Sequence, residues 1–309
     1  MKPQRICLVG SQQQENLGLE YLAAAVERAG HQPQVLAFES RLDVDSVSRA
    51  IVELDPDLVG LSIAFQHGVR DNQLLIRTLR QRGYRGHLTC GGHVPTFCYA
   101  ELLTDDAGLD TVVRFEGEHA LCELAERLAE GRPVAGVPGL VWRQDGAIVT
   151  GPVRPLCADL DSLPLPKRRE QPFYVGGLPL AFVITARGCY GECNYCCLTA
   201  FAREAGGPRL RLRDTAAVGA EIAGLRRERG VQVVVVQDDL FILRNERRSI
   251  ERMRRLRTAL EDHGVDDVVF WIKGRPETLT RAIVAEAERM GAIHLFLGVE
   301  NASAKRLRY

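Results

Sequence analysis

The sequence has no net charge and no apolar segment long enough to cross a membrane. Forty Lys and Arg balance forty Asp and Glu among 309 residues, so no broad electrostatic field favours nucleic acid or an anionic membrane. The apolar stretch Val233–Val236 is soon interrupted by aspartates, far short of the roughly 18 residues of a spanning helix. The amino terminus lacks the apolar core of a secretory signal. We therefore expect a cytoplasmic protein that acts on a small molecule, with no nucleic-acid or membrane partner.

Short apolar runs alternate with helical patterns in the first part of the chain. The runs ICLVG, PQVLAF, LVGLSIAF, HLTCGG and TVVRF are interleaved with amphipathic stretches, which include 17–29 and 44–54. Strands that alternate with helices in this way predict a parallel, doubly wound α/β sheet, which binds ligands at the carboxyl ends of its strands. We assign residues 1–130 to such a Rossmann-like or flavodoxin-like domain.

A second α/β region follows a change in composition. Residues 131–178 are rich in Gly and Pro and contain a hairpin pattern around Asp145 and Gly146, so we interpret them as a hairpin and linker. Beyond them, PLAFVITARG, VQVVVVQDD, DVVFWIKGR and AIHLFLGVEN predict four more βα units over 179–309. We expect an incomplete (βα) partial barrel whose last strand leaves an unpaired edge.

One loop of the second region contains three closely spaced cysteines. The segment TARGCYGECNYCC follows a strand and places Cys189, Cys193 and Cys196 in a CxxxCxxC pattern. Three thiolates can ligate three irons of a [4Fe-4S] cluster and leave the fourth iron open to another ligand. The alternatives are a cluster completed by Cys197, a chance pattern or a zinc site, although zinc sites favour paired CxxC motifs.

This loop resembles the signature of the radical S-adenosylmethionine (SAM) superfamily, which has an aromatic residue before the last cysteine, here Tyr195. The resemblance implies that SAM binds the open iron and that the reduced cluster cleaves it. A 5'-deoxyadenosyl radical then abstracts hydrogen from the substrate, so the cofactor supplies the difficult chemistry. The resemblance also implies an electron donor such as flavodoxin or ferredoxin.

Charged residues follow the later strands of the second region. Asp238 and Asp239 end the second strand, where the superfamily places groups that receive the SAM ammonium, while Arg275 ends the third and Glu300 the fourth. These four are our predicted SAM contacts, although each could be a solvated residue at a strand end. The fifth and sixth strands of the superfamily barrel and its Gly-rich segment are not found, so we expect this chain alone to cleave SAM slowly or not at all.

The first domain resembles cobalamin-binding domains. Their pattern of DxHxxG is followed by a serine at a strand end and then by a GG turn. Here Ser62 ends the third strand, and Gly91 and Gly92 follow the fourth. Glycine at these positions lets the backbone approach a flat cofactor closely. Alignment on Gly18 places Glu15 at the histidine position, so the lower axial ligand of cobalt is absent.

Cobalamin-dependent radical SAM proteins often lack that histidine, and the chain resembles their amino-terminal domains along most of its length. The resemblance implies that Glu15, Leu17 and Gly18 lie near the lower face of the corrin. Glu116 and Gly117 of the segment VVRFEGEH would lie close to the corrin as well.

Two features depart from a simple cobalamin assignment. A glycine of the family's RGEGE-like loop is replaced by Phe115, and a flavodoxin-like domain that binds another ligand or none remains an alternative. His67 and His93 belong to no paired-ligand spacing, so neither is assigned to a metal or a catalytic role.

These resemblances together predict a cobalamin-dependent radical SAM enzyme. We expect a methyltransferase that methylates an unactivated carbon of a small molecule or natural product, with one SAM as methyl source through cobalamin and a second as radical source. The alternatives are a radical SAM cyclase or oxidoreductase without methyl transfer, and a non-catalytic fragment that binds cobalamin or a cluster. The sequence indicates neither the substrate nor the catalytic residues.

Overall fold

The computed structural model describes residues 2–104, 108–301 and 303. Within these ranges no helix is both long and apolar enough to span a membrane. The chain forms two compact units. The first unit consists of Met1–Ala158, Leu163–Arg168 and Asn194–Pro208, and the second of Asp159–Ser162, Arg169–Cys193 and Arg209–Tyr309.

A seven-stranded sheet forms the centre of the first unit. Its strands are β1 (Arg5–Gly10), β2 (Gln32–Ala37), β3 (Leu58–Ser62), β4 (His87–Gly91), β5 (Thr111–Val113), β6 (Leu140–Gln144) and β7 (Ala147–Thr150). Their order across the sheet is β2-β1-β3-β4-β5-β6-β7. The first five are parallel, as the sequence predicts, and the last two are antiparallel.

The helices of the first unit cover both faces of the sheet. They are α1 (Leu17–Arg28), α2 (Val44–Leu54), α3 (Val69–Gln81), α4 (His93–Phe97), α5 (Tyr99–Leu102), α6 (Glu118–Ala129) and α7 (Cys197–Ala205). Successive residues of a strand point to opposite faces, so β1 supplies two separate cores. Cys7 packs with α2 and α3, whereas Ile6 packs with α1 and α6. The sheet is therefore doubly wound, as predicted.

The predicted boundary near residue 130 differs from the division in the structure. The hairpin predicted around Asp145 and Gly146 is formed by β6 and β7, and β6 pairs with β5. Hydrogen bonds along β5 therefore join the hairpin to the first sheet, and the unit continues to Ala158. The composition of residues 131–178 indicates turns but does not indicate which sheet the hairpin joins.

The second unit contains a five-stranded sheet in the order β14-β13-β12-β9-β8 and a two-stranded sheet of β10 and β11. The four strands predicted from the sequence, β9, β12, β13 and β14, are parallel, and β8 pairs antiparallel with β9 at one edge. The strands are β8 (Phe173–Val175), β9 (Leu178–Val183), β10 (Ala186–Gly188), β11 (Leu210–Leu212), β12 (Val233–Val236), β13 (Val269–Gly274) and β14 (Ala292–Leu297).

Three helices pack on the larger sheet of this unit. They are α8 (Thr215–Arg229), α9 (Glu246–Asp262) and α10 (Arg281–Arg289). Their apolar residues enclose a core with Val234, Phe270 and Ile272 of the strands. The carboxyl ends of the parallel strands therefore lie at one edge, where the predicted site residues are found.

The contact between α8 and α9 depends on a glycine. A Cβ at Gly219 would lie 2.6 Å from the Cβ of Ala259, whereas a Cβ at Gly224 of the same helix would meet nothing within 4 Å. We expect Gly219→Ala to destabilise the second unit, because overpacking costs about 1–3 kcal/mol and exceeds the helix-propensity gain of about 1 kcal/mol. Gly224→Ala is the matched control and should stabilise the unit.

Urea unfolding, followed by circular dichroism, tests this pair of variants. The midpoint should fall for Gly219→Ala and rise for Gly224→Ala relative to the unchanged protein. A rise of the midpoint for both variants would show that the α8–α9 contact accommodates the added methyl group at little cost.

Candidate functional site

The carboxyl edge of the first sheet is built for close approach to the backbone. Ser62 at the end of β3 pairs in register with Gly91 at the end of β4. Gly92 has a φ of 110°, and a Cβ there would lie 2.8 Å from the carbonyl oxygen of Ile63. Only glycine fits this position without a shift of the backbone. The structure thus brings together Ser62, Gly91 and Gly92, as the sequence predicts.

A further glycine at this edge was missed by the sequence analysis. Gly10 ends β1, where an added Cβ would lie 3.2 Å from the Cβ of Ser62 and 3.1 Å from Cδ1 of Leu19. Its position as the last residue of β1 could have indicated this role, because ligands bind at the carboxyl ends of parallel strands. Gly10 keeps the surroundings of the Ser62 hydroxyl free of a further side chain.

The segment before α1 is held by a buried ion pair. The Glu15 carboxylate lies 2.8 Å from the Arg168 guanidinium, and their side chains are only 4% and 7% exposed. Leu17 is also buried, whereas Gly18 is exposed. Breaking such a pair costs about 3–5 kcal/mol because it leaves a buried charge without its partner. Glu15 therefore has a structural partner that the sequence did not reveal, because Arg168 is 153 residues away in the chain.

Hydrogen bonds also fix the other end of this segment. The Glu39 carboxylate accepts hydrogen bonds from the Ser11 hydroxyl and from the Gln12 N–H, both at 2.5 Å. The Asn16 amide donates to the Ser11 carbonyl at 2.9 Å and its oxygen caps α1 at the Leu19 N–H. Residues 11–16 are consequently held in one conformation from both sides.

Phe115 has a backbone conformation that favours glycine. Phe115 has a φ of 64°, the left-handed region in which a non-glycine residue is strained. Its backbone N–H donates to the Thr96 hydroxyl at 2.9 Å. Its buried ring meets the Phe201 ring edge-on, with centroids 5.3 Å apart, and lies under the Arg114 guanidinium. These contacts offset the strain and attach α7 to the loop.

The two predicted residues that follow Phe115 have different surroundings. The Glu116 carboxylate accepts a hydrogen bond from the Cys157 N–H at 2.7 Å. Gly117 precedes α6, and a Cβ there would lie 3.0 Å from Cδ2 of Leu22. Glu116 therefore joins the loop before α6 to the segment around Cys157, while Gly117 allows the loop to lie close to α1.

Two of the predicted cluster cysteines belong to the second unit, and each has an N–H donor beside its sulfur. The Gly191 N–H donates to Cys189 Sγ at 3.2 Å, and Arg275 Nη1 donates to Cys193 Sγ at 3.7 Å. Burial raises the pKa of the Cys189 thiol, and the Gly191 hydrogen bond opposes that shift. Such donors stabilise thiolates, the form that ligates iron. Their chemistry therefore fits a cluster.

The third cysteine and its neighbours begin a helix of the first unit. Cys196 is the N-cap residue of α7, Cys197 is the first residue of that helix, and the Tyr195 side chain is 69% exposed. Among the side chains that the structure describes, no three His, Cys, Asp or Glu residues are grouped as a metal site. The assignment of all three cysteines to one cluster therefore remains a prediction from their spacing.

Asp238 lies at the centre of a buried polar network. Its carboxylate, in a residue that is 1% exposed, accepts hydrogen bonds from the N–H groups of Thr185 and Ala186 at 2.6 and 2.8 Å. It also bonds the Thr185 hydroxyl and lies 3.5 Å from Arg252. Burial raises the pKa of this carboxyl, and Arg252 and Thr185 oppose that rise. A contact between Asp238 and SAM would require these bonds to break.

The other predicted SAM residues lie at the surface of the second unit. Asp239 is exposed and accepts a hydrogen bond from the Gly188 N–H at 3.0 Å. Glu300 is exposed after β14, with a φ of 55°. Arg275 follows β13, where Glu277 pairs with its guanidinium. Burial lowers the pKa of Arg275, but Glu277 and the Cys193 sulfur together raise it above its usual range.

Two buried arginines of the second unit were missed by the sequence analysis. Arg252 donates to the Thr185 carbonyl at 3.0 Å, and Arg213 does so through its backbone N–H at the same distance. The Arg213 side chain also pairs with Glu221 and bonds the Ile184 carbonyl. Both arginines therefore fix the segment that leads into the cysteine loop. The sequence carries no signal for them, because 14 or more residues separate Arg252 from its partner Asp238 and from Thr185.

Comparison with known families and proteins shows which sequences the chain resembles. Residues 6–125 match the B12 binding domain family. An uncharacterized methyltransferase of Pyrococcus horikoshii is 28% identical over 95% of this chain and 62% of its own length. The hopanoid C-3 methylase of Methylococcus capsulatus is 29% identical over 95% of this chain and 55% of its own. The anaerobic magnesium-protoporphyrin IX monomethyl ester cyclase of Rubrivivax gelatinosus is 27% identical, with coverages of 93% and 52%. The chain thus spans little more than half of these relatives.

Two solved structures share the fold. The radical SAM methyltransferase TsrM from Kitasatospora setae, with tryptophan and a SAM analogue bound, has a TM-score of 0.76 at 22% identity and covers 98% of this chain and 60% of its own. The cobalamin-dependent radical SAM enzyme OxsB, with aqua-cobalamin and SAM bound, has a TM-score of 0.74 at 15% identity and coverages of 99% and 45%. At these identities the likeness establishes the fold. Residues 6–125 therefore match the B12 binding domain family, and the chain shares its fold with these two solved radical SAM enzymes.

Proposed function

We propose that the chain is part of a cobalamin-dependent radical SAM methyltransferase that methylates an unactivated carbon of a small molecule. The observation that carries the proposal is the occurrence, in one chain, of a B12-binding domain and a CxxxCxxC loop that follows the first parallel strand of a second α/β unit. Methyltransferases among the relatives and solved structures support the reaction type.

The residues at the carboxyl edge of the first sheet are suited to hold cobalamin. Gly91 and Gly92 leave the backbone accessible, and Ser62 offers a hydroxyl beside them. Glu15 is paired with Arg168 and carries no imidazole, so this segment supplies no nitrogen ligand to cobalt. The proposed set is completed by Leu17 and Gly18 at the start of α1 and by Glu116 and Gly117 just before α6.

The cysteine loop and the residues that follow the parallel strands of the second sheet are suited to hold a [4Fe-4S] cluster and SAM. Cys189, Cys193 and Cys196 would ligate the cluster, and Tyr195, Asp239, Arg275 and Glu300 are the accessible candidates for contact with SAM. The cluster and SAM, when bound, would supply the reductive cleavage of SAM and a carbon radical on the substrate. The buried network around Asp238 keeps the beginning of the cysteine loop in position.

A second candidate function is cyclisation or oxidation without methyl transfer. It is favoured by the likeness to the magnesium-protoporphyrin cyclase of Rubrivivax gelatinosus, which is 27% identical over 93% of this chain. The two candidates differ in the fate of the SAM methyl group, so a labelled methyl group separates them.

The function is tested by anaerobic incubation of the reconstituted protein with cob(I)alamin and SAM that carries a CD3 group. Appearance of CD3-cobalamin by mass spectrometry is the result expected of a methyltransferase. Recovery of cobalamin without the CD3 label would instead favour the cyclase or oxidoreductase.

We expect anaerobic reconstitution to load one four-iron cluster per chain. Combined replacement of Cys189, Cys193 and Cys196 by Ala should abolish it, because the iron loses its thiolate ligands. The matched control is Cys197→Ala, which should retain the cluster. Iron analysis and the visible absorbance of the cluster measure the outcome. An unchanged iron content in the triple variant would overturn the assignment.

We expect cobalamin to bind with its own nucleotide base detached from cobalt and with no protein imidazole in its place. The electron paramagnetic resonance spectrum of the Co(II) form should lack nitrogen superhyperfine splitting, because Glu15 replaces the histidine of related domains and is committed to Arg168. His67→Ala and His93→Ala serve as controls and should leave the spectrum unchanged. A nitrogen splitting that disappears in either variant would refute the proposed binding mode.

Asp238 and Asp239 should respond differently to the same substitution. Asp238→Asn should lower the thermal midpoint strongly, because the buried Arg252 loses its counter-charge, at a cost of about 3–5 kcal/mol. Asp239→Asn should leave the midpoint nearly unchanged and weaken SAM binding to the reconstituted protein several-fold. Equal effects of the two variants on stability would contradict the structural role given to Asp238.

A further inference from the structure

We propose that Arg275 donates a hydrogen bond to a cluster thiolate and thereby raises the reduction potential of the cluster. The proposal rests on the proposed function in one respect, namely that Cys193 is a cluster ligand. It assigns to Arg275 a positioning role toward Cys193 in place of a contact with SAM.

Contacts of both its side chain and its backbone hold Arg275 beside the cysteine loop. Its Nη1 lies 3.7 Å from Cys193 Sγ, within the range of a hydrogen bond to sulfur. Its Nε pairs with Glu277, and its backbone carbonyl accepts from the Thr278 N–H at 3.0 Å and hydroxyl at 2.8 Å. The side chain is only 32% exposed. These contacts fix the direction of Nη1 toward the sulfur.

Gly191 supplies an independent observation for the same arrangement. A Cβ at this position would overlap Arg275 Nη1 and would lie 3.3 Å from Cys189 Sγ. Gly191 is not among the residues with positive φ, so the backbone conformation does not require glycine here. The absence of a side chain instead leaves the space into which the guanidinium projects.

Both cysteines of the second unit thus receive an N–H donor of their own. The Gly191 N–H bonds Cys189 Sγ at 3.2 Å, and the cationic Arg275 bonds Cys193 Sγ. Hydrogen bonds to the sulfurs and nearby charge are the means by which a protein sets the potential of an iron-sulfur cluster. A cation beside a thiolate stabilises the more negative, reduced cluster, so its removal lowers the potential. Glu277 partly offsets this cation, because the two side chains are paired.

The test is a potentiometric titration of the reconstituted full chain without SAM, with dithionite as the one-electron reductant and paramagnetic resonance of the reduced cluster as the readout. Arg275→Gln should shift the midpoint to more negative values, by an amount equal to about a tenfold change in the reduction equilibrium, or about 59 mV. Arg275→Lys retains the charge and should restore part of the shift. Glu277→Gln, the matched control, should shift the midpoint in the positive direction.

Gly191→Ala provides a second, independent variant. The added methyl group displaces the guanidinium from Cys193 without removal of its charge or of a ligand, so the midpoint should again become more negative while the iron content is unchanged. An unchanged midpoint in Arg275→Gln and Gly191→Ala, together with weaker SAM binding in Arg275→Gln, would overturn the proposal in favour of a SAM contact.

Failure of the proposed function gives a different result. If Cys193→Ala retained the full iron content of the unchanged protein, Cys193 would not be a ligand and both the cluster assignment and this inference would fall. If Cys193→Ala lost iron while the Arg275 variants left the midpoint unaltered, only the inference would fall.

Discussion

The buried carboxylate of Asp238 joins the ends of two neighbouring strands of the second unit to a helix. It accepts hydrogen bonds from the N–H groups of Thr185 and Ala186, which follow β9, and it lies beside Arg252 of α9. A buried charge is tolerated only when its partners and hydrogen bonds are all in place, so this network permits little movement. The cysteine loop starts four residues after Thr185, and its direction is therefore set by the network.

The first unit uses a different means to hold a loop at the edge of its sheet. Residues 11–16 are fixed by the Glu15–Arg168 pair on one side and by Glu39 on the other. Gly92 has no side chain, and a Cβ at this position would clash with the Ile63 carbonyl. A rigid loop beside an open backbone edge loses little conformational entropy when a ligand binds there.

The conformation of Phe115 and the placement of Arg275 both depend on residues elsewhere in the chain. Phe115 adopts a left-handed backbone conformation and recovers the cost through contacts of its ring with Phe201 and Arg114. Arg275 occupies the space that Gly191 leaves, and its charge reaches a cysteine sulfur. In both cases one residue's conformation or size depends on a distant residue that the packing brings near.

The sequence by itself determined the order of strands and helices, the doubly wound sheet and the carboxyl-edge positions of Ser62, Gly91, Gly92 and the cysteine loop. Such features follow from hydrophobic periodicity and from glycine and cysteine spacing, which are local properties. Only the tertiary structure decided that Glu15 pairs with Arg168, that Asp238 is buried while Asp239 is exposed, and that Arg275 contacts Cys193. Adjacent aspartates at a strand end look alike in a sequence, because burial and partners depend on residues that the fold brings together from far along the chain.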